Sequence, residues 1–365
     1  MNKTETRVRY PRVHIALQKL KANLETLSAS VKSAGCSLMI VTKSFCADPK
    51  IIEMLTASPL VDYLADARIQ NIKTYAGQGK QTVLLRLPQA CEIEDVVSYA
   101  DISLNSELDT LRLLHTEAAR QHKKHKIILM IDLGDLREGI FFKEDEKILA
   151  TVEAVLAMQN LELYGVGVNF TCYGAVIPTQ DSLALLTCWA ERIKARCGIN
   201  LPVVSGGNSS SFYLIEKGAL PRGINNLRLG EAFILGREAA YKKRIKNTFD
   251  DAVSLEAQII EVQVKPSIPA GERGVDAFGE QSVFADRGML KRAICAVGRQ
   301  DLDLAGIVPR DPGVEILGAS SDHLIITFNA AERDYKTGDI IRFIPDYVAV
   351  LRLFTSPYVD RVYSD

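Results

Sequence analysis

Residues 37–43 read SLMIVTK, an apolar run that ends on a single lysine, Lys43. A nearly continuous apolar run of this length is typical of a strand in a parallel sheet, buried on both faces. The lysine alone has two interpretations. It is either a surface residue that follows a buried strand or an amine held in place for covalent chemistry.

Seven similar runs follow before about residue 236, and stretches with helical periodicity separate them. These runs are VDYLAD (61–66), TVLLRLP (82–88), ADISLNS (100–106), KIILMIDL (126–133), LYGVGVNF (163–170), PVVSGGN (202–208) and NLRLGEAFI (226–234). Residues 144–160 and 179–198 have the pattern of amphipathic helices. Eight strand–helix units predict an α/β fold, a (β/α)8 TIM-type barrel.

After about residue 250 the pattern changes to short apolar runs separated by Gly, Pro and Asp, which predicts an all-β domain. The runs cover residues 254–264, 291–298, 314–328, 338–345 and 347–354. We therefore predict an N-terminal barrel over residues 1–245 and a C-terminal β domain over residues 246–365. VHIAL (13–17) is a further strand candidate, so residues 10–18 are a candidate strand of the β domain.

The composition excludes several classes of function. With 44 basic and 45 acidic residues, the net charge of −1 predicts neither a nucleic-acid partner nor a membrane partner. The N-terminus has no apolar segment like that of a signal peptide, and no run approaches a membrane span. Seven widely spaced cysteines without a CxxC pair argue against disulfides and a thiolate zinc site. We expect a cytoplasmic protein without a bound metal.

Polar residues interrupt the buried runs at the ends of the predicted strands, where barrels place their active sites. Lys43 ends the first strand, and Arg137 follows the fifth. Asn169 ends the sixth strand, and Arg228 lies in the eighth. These four residues are therefore expected to converge on one end of the barrel.

The segment SGGNSSS (205–211) follows the seventh strand. Alone it is an ordinary turn, but its glycines, hydroxyls and N–H groups also suit an anion at a helix start. Barrels often bind phosphate at this place. Without a dinucleotide or ATP motif in the chain, a lysine opposite a phosphate site suggests pyridoxal phosphate. Burial would lower the pKa of Lys43 and make its amine a better nucleophile and base.

Arg228 has two interpretations. It either forms an ion pair with a carboxylate such as Glu231 or donates to the pyridine nitrogen of the cofactor. Because arginine is not deprotonated in proteins, the second arrangement would keep that nitrogen unprotonated. The ring would then delocalise a Cα carbanion poorly, which favours racemisation over transamination.

Taken together and in order, these motifs resemble the fold-type III pyridoxal-phosphate enzymes of the alanine racemase family, and most of all its ornithine racemase branch. The resemblance runs over nearly the whole chain. The segments that carry it are VTKSF, DISLNSELDTL, ILMIDLGDLREG, SGGNSSS, NNLRLGEAFILGRE, VDAFG and GASSDHLIITF.

The resemblance implies roles for residues of the barrel. Lys43 would bind the cofactor covalently and act as one of two catalytic bases. Arg228 would hold the pyridine nitrogen, and Asn169 would lie against the cofactor ring. Arg137 would bind the substrate carboxylate.

The resemblance also implies a phosphate site and a partner. Asn208 and Ser209, with the backbone of Gly207 and Gly236, would bind the phosphate. The active form would be a head-to-tail homodimer, in which the β domain of one subunit closes the barrel of the other.

The chain departs from the alanine enzymes where a tyrosine of the β domain is the second base. Residues 271–281 read GERGVDAFGEQ and contain no tyrosine. Asp276 and His323 are our candidates for that base, and Asp322 and Tyr358 are further ones.

On the substrate side, Asp322 stands where related decarboxylases place an aspartate near the distal amine of the substrate. That position indicates a basic amino acid, because an acidic residue selects a terminal ammonium by charge. Ser356 is a second predicted substrate contact.

We therefore predict a racemase of a basic amino acid such as ornithine or lysine. The alternatives are an alanine racemase, a basic amino acid decarboxylase, a pyridoxal-phosphate carrier and a metal-dependent aldolase of this fold. A decarboxylase would require an acidic partner at the pyridine nitrogen. A carrier has no need of the second domain, and the five histidines form no ligand cluster for an aldolase metal.

Overall fold

The computed structural model of the protein describes residues 8–281 and 283–365. Residues 1–7, where the predicted barrel domain begins, lie outside the described residues. The chain divides into two compact units. The barrel unit is Lys19–Asp250, and the β unit is Asp251–Asp365 with the chain up to Gln18. Strand β1, Arg12–Ala16, therefore belongs to the β unit.

The barrel unit contains eight parallel strands that close into a ring. The strands are β2 (Ser37–Val41), β3 (Tyr63–Asp66), β4 (Gln81–Leu84), β5 (Ile102–Asn105), β6 (His125–Asp132), β8 (Leu161–Gly167), β9 (Val203–Ser205) and β10 (Asn226–Leu229), with a short β7 (Ile140–Phe141) beside β6. The order is β5-β4-β3-β2-β10-β9-β8-β6, and the pairing of β5 with β6 closes the ring. The prediction of a TIM-type barrel is confirmed.

Helices connect the strands on the outside. They are α1 (Leu17–Ser33), α2 (Pro49–Ala57), α3 (Ile69–Ile72), α4 (Ile93–Tyr99), α5 (Leu108–Arg120), α6 (Asp145–Ala157), α7 (Gln180–Cys197), α8 (Phe212–Glu216) and α9 (Glu231–Leu235). The predicted helices at 144–160 and 179–198 are confirmed as α6 and α7. Helix α7 begins at a reciprocal cap between Thr179 and Ser182, which satisfies two of its free backbone N–H groups. No helix in the described part of the chain is long and apolar enough to cross a membrane.

Inward-facing side chains of the strands fill the barrel, because alternate residues of each strand point to its axis. The buried cluster consists of Met39, Val41, Ala65, Val83, Ile102, Leu104, Ile128, Met130 and Val203. The interior is thus a packed core, so a ligand can bind only at an end of the barrel.

The β unit is built around one long strand, which pairs with β1 and with two other strands. Its strands after β1 are β11 (Val253–Pro266), β12 (Met289–Cys295), β13 (Ile307–Pro309), β14 (Glu315–Ala319), β15 (Leu324–Thr327), β16 (Ile340–Pro345) and β17 (Asp360–Ser364). The main path is β13-β16-β11-β12-β15-β14, and β1 pairs antiparallel with β11 and parallel with β17. A β-sheet domain after residue 250 is therefore confirmed.

One predicted strand is wrong and another is wrong in part. Residues 347–354 form helix α10 (Tyr347–Thr355), which begins where Asp346 accepts a hydrogen bond from the N–H of Ala349. The run predicted at 226–234 ends as a strand at Leu229, and Glu231–Leu235 is helical. Both segments are short and apolar, and over so few residues a buried helix and a buried strand have the same pattern.

Candidate active site at the barrel mouth

The carboxyl ends of the eight strands form the barrel mouth. Lys43 lies there in a 3-10 turn, Lys43–Phe45, two residues after β2. Strand β10 is the direct neighbour of β2, and Arg228 of β10 pairs in register with Met39. Of the two residues predicted to anchor the cofactor, Arg228 is therefore on β10 and Lys43 follows the adjacent strand β2.

The amine of Lys43 is largely withdrawn from water. Burial lowers its pKa, and the charge of Arg137 lowers it further, whereas Asp66, Glu138 and Cys172 raise it. The net shift is downward, so more of the amine is neutral at a given pH than in a free lysine. A neutral amine is the form that attacks a carbonyl and accepts a proton.

A buried network fixes the turn that carries Lys43. The Thr42 hydroxyl donates to an Asp66 carboxylate oxygen at 2.5 Å. Asp66 also accepts from the N–H of Arg68 at 2.8 Å and from the Asn71 amide at 3.1 Å. Because Thr42 and Asp66 are fully buried, the residue before the lysine has a single well-defined position.

Arg228 is buried, with 2% of its surface exposed. Its guanidinium donates to the Ser205 hydroxyl at 2.5 Å, the Val168 carbonyl at 2.7 Å and the Asn169 side-chain oxygen at 2.6 Å. Burial lowers the pKa of Arg228 to about 10, so it stays protonated at neutral pH.

The predicted alternative partner of Arg228 is wrong. Glu231 accepts instead from Arg237 at 2.9 Å and from Lys242 at 3.0 Å. The reason is local: Glu231 begins α9 and faces the segment that follows this helix.

Glu138 is a site residue that the sequence did not reveal. Its Oε1 accepts from the Asn169 amide and, at 2.5 Å, from Arg137 Nη2, while its Oε2 accepts from Arg137 Nε. Burial alone would raise the pKa of Glu138, but Arg137 and the charge of Arg228 hold it below its ordinary value. The sequence contained only an indirect sign of Glu138, because a buried arginine such as Arg228 requires a carboxylate nearby to balance its charge.

The loop that carries Arg137 and Glu138 is attached at both ends to β6. Asp132, the last residue of β6, accepts from the N–H groups of Gly134 and Leu136 at 2.8 and 3.2 Å. After the loop, β7 pairs back onto β6, with Ile140 opposite Ile131. The loop is therefore short and is held by the Asp132 side chain at its start and by strand pairing at its end.

The Gly207–Ser211 turn follows β9, as predicted for the phosphate site. Gly207 has a φ of +106°, which favours glycine. Asn208 accepts from the N–H of Ser210 at 2.8 Å and donates to the Phe170 carbonyl at 2.9 Å. The Ser210 hydroxyl is buried without a partner among the described residues. Such an unused donor fits an anion at this turn.

Two other predicted phosphate contacts also have structural partners. The Ser209 hydroxyl accepts from the N–H groups of Gly230 and Ala232 at 3.3 and 3.1 Å, which joins the turn to α9. The N–H of Gly236 donates to the Ala232 carbonyl at 3.1 Å and ends that helix. The residues that would hold pyridoxal phosphate here are Lys43 for the aldehyde, this turn for the phosphate and Arg228 for the ring nitrogen.

The predicted second bases lie in the β unit. Asp276 is half-buried and accepts from the N–H groups of Glu280 and Phe278 at 2.9 and 2.8 Å, and these bonds lower its pKa. His323 belongs to the turn between β14 and β15, where its Nδ1 lies 3.4 Å from the Ser320 hydroxyl. Their catalytic roles stay predictions.

The remaining predicted residues are also in the β unit. Asp322 shares the turn of His323 and accepts from the Ser321 hydroxyl at 2.8 Å. Ser356 follows α10, where it donates to Asp301 at 2.7 Å and accepts from the N–H of Tyr358 at 3.1 Å. Their roles toward a substrate stay predictions too.

Comparisons with known proteins agree with this geometry. Residues 15–237 match the alanine racemase N-terminal domain. The chain is 48% identical over 352 residues to an ornithine racemase of Acetoanaerobium sticklandii, covering 96% of this chain and 99% of that protein. It is 39% identical over 358 residues to a lysine racemase of Thermotoga maritima, covering 97% and 99%.

Solved structures resemble the fold at low sequence identity. An alanine racemase of Clostridium difficile matches with a TM-score of 0.71 at 17% identity, covering 98% of this chain and 97% of that one. An alanine racemase from Streptomyces lavendulae matches with a TM-score of 0.73 at 18% identity and 98% coverage of both chains. The family match and the two close relatives together show that this chain belongs to the alanine racemase family.

Proposed function

We propose that the protein is a pyridoxal-phosphate-dependent racemase that interconverts the L and D forms of a basic amino acid, such as ornithine or lysine. Pyridoxal phosphate is the cofactor of the alanine racemase family. The two close relatives named as ornithine and lysine racemases support the substrate class. The observation that carries the proposal is Lys43, largely withdrawn from water just after β2, beside the neighbouring strand β10 that carries the buried Arg228.

When bound, the cofactor supplies an electron sink for negative charge at Cα. Lys43 would hold its aldehyde carbon, the Gly207–Ser209 turn its phosphate and Arg228 its ring nitrogen. Because Arg228 can only donate, the ring nitrogen would stay unprotonated and the sink would be weak. A proton at Cα would then be replaced quickly, which favours racemisation and disfavours side reactions.

Two groups of the protein would exchange the Cα proton on opposite faces. The neutral amine of Lys43 would act on one face, and Asp276 or His323 of the β unit on the other. Arg137 would hold the substrate carboxylate. Asp322 would pair with the distal ammonium, and Ser356 would be a further contact.

The central test is Lys43→Ala in the full chain with added cofactor. We expect racemisation of ornithine and lysine to fall by about a thousandfold or more, since the amine is both anchor and base. The absorbance band of the bound cofactor should change as well. Lys50→Ala is the matched control, because Lys50 is exposed on α2 and pairs only weakly, at 3.5 Å, with Glu53. Unchanged racemisation and an unchanged band in Lys43→Ala would reject the proposed function.

The substrate class has its own assay. Optical rotation is followed with ornithine, lysine and alanine at equal concentrations. Loss of rotation with the basic amino acids and not with alanine is the expected result. Turnover confined to alanine would contradict the assignment of a basic substrate.

We also propose a head-to-tail homodimer in the cytoplasm, in which the second base comes from the other subunit. Mixing Lys43→Ala subunits with His323→Ala or Asp276→Ala subunits tests this. If each site combines two subunits, hybrid dimers contain one intact site, and the mixture should recover about a quarter of the original activity. No recovery with either variant would contradict a shared site.

A further inference from the structure

Glu138 lies between the two arginines of the barrel mouth. It binds Arg137 with both carboxylate oxygens and the Asn169 amide with Oε1. Arg228, in contrast, donates to three neutral oxygens, from Ser205, Val168 and Asn169. Within the described residues no carboxylate is in ion-pair contact with Arg228. Its charge is therefore balanced by Glu138 through a single intervening side chain.

Asn169 can connect these residues in one orientation only. A guanidinium can only donate hydrogen bonds, and an ionised carboxylate can only accept them. The Asn169 oxygen must therefore face Arg228, and its NH2 group must face Glu138. Rotating the amide by half a turn would place NH2 against the guanidinium and oxygen against the carboxylate. Glu138 consequently fixes the amide that holds Arg228.

We propose that Glu138 is the positioning residue of this site: it fixes Arg137 for the substrate carboxylate and, through Asn169, fixes Arg228 for the ring nitrogen of the cofactor. This inference rests on the proposed function. Glu138 touches neither reacting group in this arrangement and acts through the two arginines. One carboxylate would thereby set the distance between the group that binds the substrate and the group that binds the cofactor.

The charge of Glu138 has a second effect, on Lys43. A negative charge stabilises the protonated amine, and Glu138 raises the pKa of Lys43 while Arg137 lowers it. Removing the carboxylate charge also leaves the positive charge of Arg137 uncompensated. Both changes act in the same direction, so any protonated group at Lys43 should lose its proton at a lower pH.

Glu138→Gln and Glu138→Asp separate geometry from charge. Gln keeps the length and can still accept from Asn169, but it removes the charge. Asp keeps the charge, but its side chain is one methylene shorter and cannot reach both partners at their present positions. Glu153→Gln is the control, because Glu153 also pairs with an arginine, Arg196 at 2.8 Å, on the outer helices α6 and α7.

The experiment measures kcat and KM for ornithine, the thermal midpoint and the pH titration of the cofactor absorbance band in the holoenzyme. We expect kcat/KM to fall about 10- to 100-fold in Glu138→Gln, as for a small displacement of groups that position a substrate. The band should titrate at a lower pH in that variant. Glu138→Asp cannot reach both partners, so it should also lose kcat/KM, but it keeps the charge and should keep the original titration. Glu153→Gln should differ from the parent enzyme in neither property.

Several outcomes would overturn the inference. Unchanged kcat/KM in Glu138→Gln would do so, and so would a loss of activity with a lower thermal midpoint but no shift of the titration. If Glu138→Gln does not fold, Glu138→Asp decides, because unchanged kcat/KM in that variant also overturns the inference. Failure of the proposed function is recognised separately, since it would leave Lys43→Ala fully active.

Discussion

The two ends of the barrel use polar side chains in opposite ways. At the amino end, a residue just before one strand binds the backbone of its neighbour. Asp62 accepts from the N–H of Leu38, Asp101 from that of Thr82 and Asn225 from that of Val204, at 2.8, 2.8 and 2.7 Å. The same contact thus recurs three times, before β3, β5 and β10.

At the mouth, polar side chains bind one another. Glu138, Asn169 and Arg228 form a continuous chain of hydrogen bonds, and Lys43 has a shifted pKa. The amino end therefore satisfies backbone groups and should matter for stability. The mouth contains charged side chains that are not needed to satisfy backbone groups, which is typical of the catalytic end of a barrel.

Among the variants that compare the two ends, the largest effect is expected from Arg228→Lys at the mouth. One ammonium cannot replace a planar guanidinium that donates to three acceptors, so we expect kcat to fall about a hundredfold. Turnover and the thermal midpoint should be measured together. Arg192→Lys is the control, since Arg192 is exposed and pairs with Asp145 at 2.6 Å. Turnover within threefold of the parent enzyme would mean that the two ends do not differ as proposed.

A smaller effect, on stability alone, is expected at the amino end. Asp101→Ala leaves the buried N–H of Thr82 without its acceptor and should lower the free energy of unfolding by about 1–3 kcal/mol. Turnover per folded molecule should not change. Asp101→Asn retains an oxygen at the same place and should lose less than half as much. Denaturant unfolding measures both variants, and a loss of turnover in Asp101→Ala would contradict the division of roles.

The smallest effect concerns pH. His125 opens β6 at the amino end, and burial lowers its pKa to about 4 from an ordinary value of 6.5. Between these two pKa values His125 is protonated in the unfolded chain and neutral in the folded chain. The free energy of unfolding therefore falls as pH falls from about 6.5 toward 4. We expect a loss of about 1 kcal/mol between pH 7 and about pH 5.5.

His125→Gln should remove that part of the pH dependence, because glutamine does not titrate. The Ser103 hydroxyl lies 2.8 Å from His125 Nε2 and also accepts from Asn105 at 2.9 Å, so a neutral acceptor suits this position. Unfolding curves of the variant and the parent at both pH values provide the measurement. If the free energy of unfolding changed equally with pH in the variant and the parent, another group would be responsible for the pH dependence.

The sequence predicted the strands that are buried on both faces, because nearly continuous apolar runs that alternate with helical stretches are typical of a parallel sheet covered by helices. It placed Lys43, Arg137, Asn169 and Arg228 at one end through their strand positions. It failed where a short apolar run fits two structures, as in α10. It also failed to find Glu138, because a charged residue in a loop has no periodicity, and its role depends on contacts with residues far along the chain.

The attachment of the 133–139 loop to β6 has a consequence for the speed and strength of binding. Gly139 has a φ of +127°, and an added Cβ would lie 2.5 Å from the backbone nitrogen of Asp132, so the chain returns to β6 at a distance that only glycine tolerates. The conformational entropy of this loop is lost when the barrel folds. If Arg137 holds the substrate carboxylate as proposed, little entropy remains to be lost on binding, so association would not wait for the loop to become ordered.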